Sequence, residues 1–183
     1  MEGYPIDILG NYGMQESKMV NGKFVLVREE ICPVDQDFFC EKIQYLREKY
    51  GYTSFKGEGV EFHASGMVTF PLLGTKADIA DKVAFDPTRE KRKVLYPEVL
   101  EIFGEQYTVF IGGSSSFDFS EKRFNKYDAI MQYAKENGYE KEEILYVGDD
   151  FGDGGGDSHV RLGGMDYIFI DDYRTLPEKL AHL

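Results

Sequence analysis

Ile144-Leu145-Tyr146-Val147-Gly148-Asp149-Asp150-Phe151-Gly152-Asp153-Gly154-Gly155-Gly156-Asp157 is the stretch whose reading decides the fold. Its apolar start, 144–147, reads as a buried parallel strand. The run stops at Gly148 and gives way to a loop with four aspartates and five glycines between Gly148 and Asp157. Carboxylates crowded at the carboxyl end of a strand repel one another. A bound divalent cation removes that repulsion, and hard oxygen ligands suit Mg²⁺. The glycines permit a tight turn and leave room for a metal or a phosphate. A solvated acidic turn is the competing reading; the strand in front, itself preceded by an amphipathic helix, weighs against it. An EF-hand fails on spacing. Counted from Asp149, its third position is Phe151 and its twelfth Val160, where oxygen ligands are required.

Working outward, 123–138 has the spacing of an amphipathic helix, with Tyr127, Ile130, Met131, Tyr133 and Ala134 on or near its inner side. After the acidic loop come a strand at 167–170 and a helix from about 176 to the end. Helix, strand, loop, strand, helix is the second half of a doubly wound α/β core. Towards the N-terminus, 4–13 reads as a short core strand ending in the turn Gly10-Asn11-Tyr12-Gly13. Asn21-Gly22 between two apolar-containing runs predicts a hairpin over 16–29. The segment 35–50 is a helix with Phe38, Phe39, Ile43 and Leu46 on one face, capped by Asp35 or Asp37 and ended by Gly51. A second hairpin joins 60–63 to 67–70. A charged helix spans 86–103, and its basic cluster, Arg89, Lys91, Arg92 and Lys93, reads as a solvated face. Strands follow at 107–111 and 116–119. This middle part is an α+β unit of hairpins and two helices.

Bulk properties narrow the function classes. The 183 residues suffice for one domain or two small ones. Hydrophobic content of 42% with 30% charge is that of an ordinary soluble globular protein. The net charge of −12 argues against nucleic acid, which needs a basic face, and requires locally placed cations if the ligand is an anion. No apolar run approaches the length of a membrane span, and no signal peptide is evident. The two cysteines, Cys32 and Cys40, read as buried thiols in a reducing, cytoplasmic setting.

The order of these motifs resembles the haloacid-dehalogenase (HAD) phosphatase superfamily, and within it the phosphomannomutase-like branch. Family members carry Phe-Ser-Ile-Gly-Gly-x-x-Ser-Phe-Asp-x-Phe and then Trp-Asp-Lys. This chain has Val109-Phe110-Ile111-Gly112-Gly113-Ser114-Ser115-Ser116-Phe117-Asp118-Phe119 and then Phe124-Asn125-Lys126. The family's Gly-Asp-Lys-Thr-x-Pro-Gly-Gly-Asn-Asp corresponds to 148–157. Its Asn-Gly-Met and Pro-Ile-Gly have counterparts in Ser65-Gly66-Met67 and Leu72-Leu73-Gly74. The resemblance implies a partial doubly wound (HAD-like Rossmannoid) core, 1–13 and 120–183, with an inserted α+β cap domain, 14–119. It implies a Mg²⁺-dependent phosphatase acting on a small phosphorylated metabolite such as a sugar phosphate. Lys126 would neutralise charge on the phosphoryl group. Asp149 would hold Mg²⁺, with Asp157 on the metal or just outside its shell and Asp153 a third acidic candidate. Ser116, Asp118, Gly66, Met67 and Lys82 would meet substrate from the cap, which closes to exclude water.

Two departures qualify these expectations. The superfamily attacks phosphate with the first aspartate of an Asp-x-Asp, and no such motif precedes the cap here; the second-motif Ser/Thr is also missing. The resemblance sets the absent first strand beside 144–148 and the 4–9 strand on the far side, beyond an absent second strand. That leaves a bare strand edge. The expectation is that the chain alone is inactive and that a further N-terminal half, or another subunit in a homo-oligomer, completes the core. The three arginines with which mutases hold sugar phosphate are represented near His63 or Ala64, at Thr75 and at Lys82. Of these only Lys82 is clearly basic. Thr does not replace a bidentate arginine, so hydrolysis is favoured over mutase-type phosphotransfer. A non-catalytic sugar- and metal-binding module is the alternative from another class.

Overall fold

In the computed structural model, which describes residues 6–181, the chain builds three sheets. The first is antiparallel, formed by β1 (Ile8–Gly10), β2 (Gln15–Val20) and β3 (Lys23–Glu29). Asn21 and Gly22 both have positive φ, 50° and 77°, which is the backbone that a tight two-residue hairpin demands. Tyr4 and Pro5 of the expected first strand lie outside the described residues. What is described of that strand, β1, pairs with β2, so this sheet straddles residue 13.

The second sheet carries the main core. Its strands are β4 (Glu61–Phe62), β5 (Val68–Pro71), β6 (Tyr107–Phe110) and β7 (Ser116–Glu121), in the order β4-β5-β7-β6 and antiparallel throughout. Period-two alternation sends Val68, Phe70, Phe117, Phe119 and Val109 to one face. There they bury against α1 (Gln36–Tyr50) and α3 (Glu90–Phe103) through Phe39, Ile43, Leu46, Leu95, Val99 and Phe103. Asp35 caps α1 by accepting from the Phe38 amide, and Gly51 ends it in the left-handed region. The expected helix over 86–103 is α3, which starts at Glu90; a separate short helix before it, α2 (Ile79–Phe85), was missed by sequence reading.

The basic cluster is not a solvated face throughout. Lys91 and Lys93 are exposed, but Arg92 is 1% exposed. Its Nε donates to Asp86 at 2.9 Å, and its Nη1 donates to the carbonyls of Gly112, Gly113 and Ser116. One buried guanidinium thus fixes the turn that leads into β7. Arg47 is buried likewise and donates to the carbonyls of Tyr52, Gly59, Pro71 and Leu72.

The third sheet is the parallel pair β8 (Leu145–Gly148) and β9 (Asp166–Phe169), with α4 (Lys126–Asn137), α5 (Ser158–Leu162) and α6 (Leu176–Leu180) in the same part of the chain. The parallel pairing is as the sequence predicts, but the burial is not. Leu145, Tyr167 and Phe169 are exposed, because among the described residues β8 pairs with β9 alone and β1 joins the hairpin instead. The thiols divide as well: both are free, Cys32 is buried and Cys40 is exposed. No helix among the described residues is long and apolar enough to cross a membrane.

Candidate active site

Asn125 starts α4 by accepting from the Asp128 amide, and this sets Lys126 on the first helical turn, facing the end of β8. Lys126 Nζ donates to Asp157 Oδ1 at 2.6 Å, and the Tyr146 hydroxyl donates to the same oxygen at 2.6 Å. The amides of Asp149 and Asp150 donate to Asp157 Oδ2 at 3.1 and 2.9 Å. Asp157 is 1% exposed. Burial opposes its charge, but the bonds from Lys126, Tyr146 and the Asp150 amide outweigh that and hold the carboxyl below the usual carboxylate range. Burial, with Asp157 as bond partner, pushes the Tyr146 phenol up.

The loop is stapled again at Asp150. Its carboxylate accepts from the Gly156 amide at 2.8 Å and pairs with Arg89. Arg89 sits at the start of α3 with a φ of 63°, a left-handed position rare for so long a side chain. A backbone bond from the Ile111 amide to the Gly154 carbonyl, 2.7 Å, joins β6 to the same loop.

A cavity of about 430 Å³ opens beside Lys126. Leu9, Asn11, Tyr12, Gly13, Met67 and Tyr146 line it together with α4. Tyr12 stacks flat on Phe110, with ring centroids 4.2 Å apart. Burial raises its phenol, and the charges of Asp118, Asp150 and Asp157 raise it further.

The residues expected at the site therefore divide. Lys126 and Met67 line the cavity, and Lys126 reaches Asp157, which also accepts from the Asp149 amide. Ser116 and Asp118 stand on β7; Ser116 Oγ donates to the Gly112 carbonyl at 3.1 Å, and Asp118 accepts from Thr69 Oγ1 at 2.9 Å. Burial raises the Asp118 carboxyl, and the Thr69 bond offsets part of that. Gly66 is a turn residue with a φ of 91°, where a Cβ would overlap the Cys32 carbonyl. Lys82 donates to the Thr75 carbonyl at 3.1 Å and lines no part of the cavity. Asp153 points to solvent at 97% exposure and pairs with Arg161. Sequence reading missed Tyr12, Tyr146 and Arg89 as parts of the site. The first lay in a stretch read only as a turn, the second in a strand, and the third in a presumed solvated face.

The donor set bears on Mg²⁺. Among the described residues no three acidic, His or Cys side chains converge on one point. Asp157 spends its two oxygens on four donors, Asp150 is held by Arg89 and Gly156, and Asp153 by Arg161. Asp149 supplies one exposed carboxylate, whereas Mg²⁺ takes octahedral oxygen coordination. These residues by themselves do not fit a resident Mg²⁺.

A profile of haloacid dehalogenase-like hydrolases matches residues 36–154, more than half of the chain. The chain belongs to the haloacid dehalogenase-like hydrolase family. Among curated proteins no match is found. Solved structures extend the likeness of this hydrolase-family chain to the whole fold. An IMP-bound mutant of the Plasmodium falciparum IMP-nucleotidase superposes with a TM-score of 0.66 at 16% identity, over 97% of this chain and 48% of that one. An N-terminally truncated, IMP-bound form of the same nucleotidase gives 0.63 at 14% identity, with the same coverage. This chain thus spans about half the length of the structures it matches, and at these identities the likeness concerns the mixed α/β fold alone.

Proposed function

We propose that this chain is the cap-bearing part of a HAD phosphatase of the phosphomannomutase-like branch, acting on a small phosphorylated metabolite. In this reading β8–β9 with α4 to α6 is a partial doubly wound core, and 14–119 is the cap. The observation that carries the proposal is the Lys126–Asp157 pair at the carboxyl end of β8, beside a cavity that Met67 helps to line. Asp157 orients the ammonium group and bridges it to the backbone of Asp149. Lys126, 41% exposed, has donors left for a phosphoryl oxygen. Partly withdrawn from water, that cation counts for more against developing negative charge than it would in bulk solvent.

Family members typically use Mg²⁺. Among the described residues of the acidic loop, Asp149 is the carboxylate without a side-chain partner, and in this reading the remaining ligands and the nucleophilic aspartate would come from a part of the protein that this chain does not span. Hydrolysis is favoured over phosphotransfer between two ends of one substrate, because of the cap positions at which the resemblance expects the mutases' three arginines only Lys82 is clearly basic here. The binding-module reading draws support from the full satisfaction of Asp157 within the chain. Hydrolysis of p-nitrophenyl phosphate with Mg²⁺ decides between them, measured on the chain and on a version extended upstream by a segment with Asp-x-Asp. Turnover by the extended form, reduced roughly 100-fold or more by Lys126→Ala, is the expected result. Inactivity of both forms, with calorimetric binding of a sugar phosphate by the chain, establishes the binding module instead.

A further inference from the structure

Arg89 is strained where it stands. It is the residue before the first turn of α3, its φ is 63°, and its side chain caps no amide of that helix. A long side chain rarely accepts this left-handed backbone, which suits glycine or asparagine. Strain of this kind persists where the surrounding structure requires it. What Arg89 supplies is a cation to another part of the chain. Its guanidinium crosses from α3, in the cap of the division above, to the Asp150 carboxylate of the acidic loop. Both side chains are partly withdrawn from water.

Asp150 needs that cation because of its neighbours. Its amide donates to Asp157 Oδ2 at 2.9 Å, and the Asp157 amide donates back to the Asp150 carbonyl at 2.9 Å. Two bonds thus tie two aspartates into one bracket, and their like charges repel. Lys126 neutralises Asp157 at 2.6 Å, and Arg89 neutralises Asp150. Gly156 lies beside both pairs. A Cβ on Gly156 would stand 3.6 Å from Lys126 Nζ and 3.8 Å from Asp150 Oδ2. The ammonium group and the second carboxylate therefore border one small space, which the glycine leaves open. Asp150 Oδ2 accepts the Gly156 amide at 2.8 Å, and Arg89 holds the other oxygen. Without Arg89, Asp150 keeps its charge and borders Lys126 unneutralised. The middle of the loop is held independently, by the Ile111 amide on the Gly154 carbonyl and by Arg161 on the Phe151 carbonyl. Arg89 answers one charge rather than folding the loop.

We propose that Arg89 is a positioning residue that keeps Asp150 off Lys126 and so reserves the ammonium group for a phosphoryl oxygen. Lys126 carries three protons and spends one on Asp157. Capture by Asp150 takes a second and sets another negative charge where the phosphate arrives. Withdrawal of α3 from the loop removes Arg89 with it, so the lysine is free only while the two are in contact. The inference rests on the phosphatase reading for phosphate at Lys126, and adds that a cap residue decides whether that lysine is available.

The test is NMR of the chain, with Lys126 followed through its ε-methylene resonances, first free and then titrated with inorganic phosphate. Arg89→Asn suits the left-handed start of α3 and removes the cation. It should move the Lys126 signal in the free chain and weaken phosphate about tenfold. Arg89→Gly, which relieves the backbone outright, should act in the same way. Arg89→Lys should bring affinity back to within about threefold of the wild type. A second substitution in the Arg89→Asn background separates charge capture from a structural role. Asp150→Asn, which keeps an acceptor for the Gly156 amide, should restore phosphate binding. Asp153→Asn removes the same charge from the same loop, at a carboxylate that points to solvent, and should not. Three results overturn this inference and leave the phosphatase reading standing: an unmoved Lys126 signal in free Arg89→Asn, phosphate affinity of that variant within about twofold of the wild type, or equal recovery from Asp150→Asn and Asp153→Asn. Absence of any phosphate effect at Lys126 in the wild type overturns the phosphatase reading itself, and the reservation of the lysine falls with it.

Discussion

Asp157 draws four donors from three parts of the chain: the first turn of α4, the β8 strand and the acidic loop. Replacing it by Asn keeps the volume but removes the charge and turns one oxygen into a donor facing donors. Asp157→Asn should therefore lower stability by about 2–4 kcal/mol, read as a lower urea midpoint at unchanged slope. The pH dependence follows from the depressed carboxyl. A group whose folded value lies below its unfolded one stabilises the fold above the unfolded value, about pH 4. That contribution is lost as pH falls through the folded value. Stability of the wild type should drop on acidification below about pH 4, and Asp157→Asn should show a smaller drop over the same window. An identical acid profile for the two would assign the transition to other carboxylates. The sequence exposed Asp157 as a candidate because it lies in a glycine-rich loop after an apolar run. It did not expose Tyr146 as its partner, since a tyrosine in a strand reads as core until the opposite residue is known.

Helices were legible where caps and stripes agreed. Asp35 and Gly51 bound α1 with the backbone such caps require; the stripe alone placed α4, which starts at Lys126 behind Asn125 rather than at the expected 123. The seven-residue α2 was not legible because it buries none of its residues, so it has no apolar stripe to find. Arg92 is the instructive miss. Read by residue type, it belongs with its exposed neighbours Lys91 and Lys93. Read by position, it precedes Leu95, Val99 and Phe103 by three, seven and eleven residues, which is the buried stripe of α3. Position outranks charge here because Asp86 and three carbonyls satisfy the guanidinium. Arg92→Leu should cost about 3–5 kcal/mol, because it strands the Asp86 carboxylate, itself 3% exposed, without its cation. Adding Asp86→Asn should recover part of that loss. Thermal melts of the two single variants and the double variant measure the coupling, and strict additivity would mean that the pair is not the source of the cost.

At the scale of the molecule, the three sheets are unequally covered. The four-stranded sheet is closed by α1 and α3 on its core face, and its aromatic cluster carries the packing. The parallel pair is not closed: Leu145 and Phe169 stand 39% and 51% exposed on strands that pair only with each other among the described residues. On β3, Phe24, Val25, Leu26 and Val27 are exposed as well. The resemblance to a family with further strands beside β8 anticipated the bare edge. The antiparallel pairing of β1 with β2 was not anticipated, because a three-residue strand carries too little pattern to name its neighbour. Unpaired edges and apolar patches of this kind drive association. Sedimentation should accordingly give a mass above 21.0 kDa that rises with concentration, together with binding of a hydrophobic dye. Charging the two exposed side chains of the parallel pair in Leu145→Lys and Phe169→Lys should lower both signals without unfolding the four-stranded sheet, whose core neither residue joins. A monomer of 21.0 kDa at all concentrations that binds no dye would mean that the β8–β9 surface is tolerated in water, and that nothing need cover it.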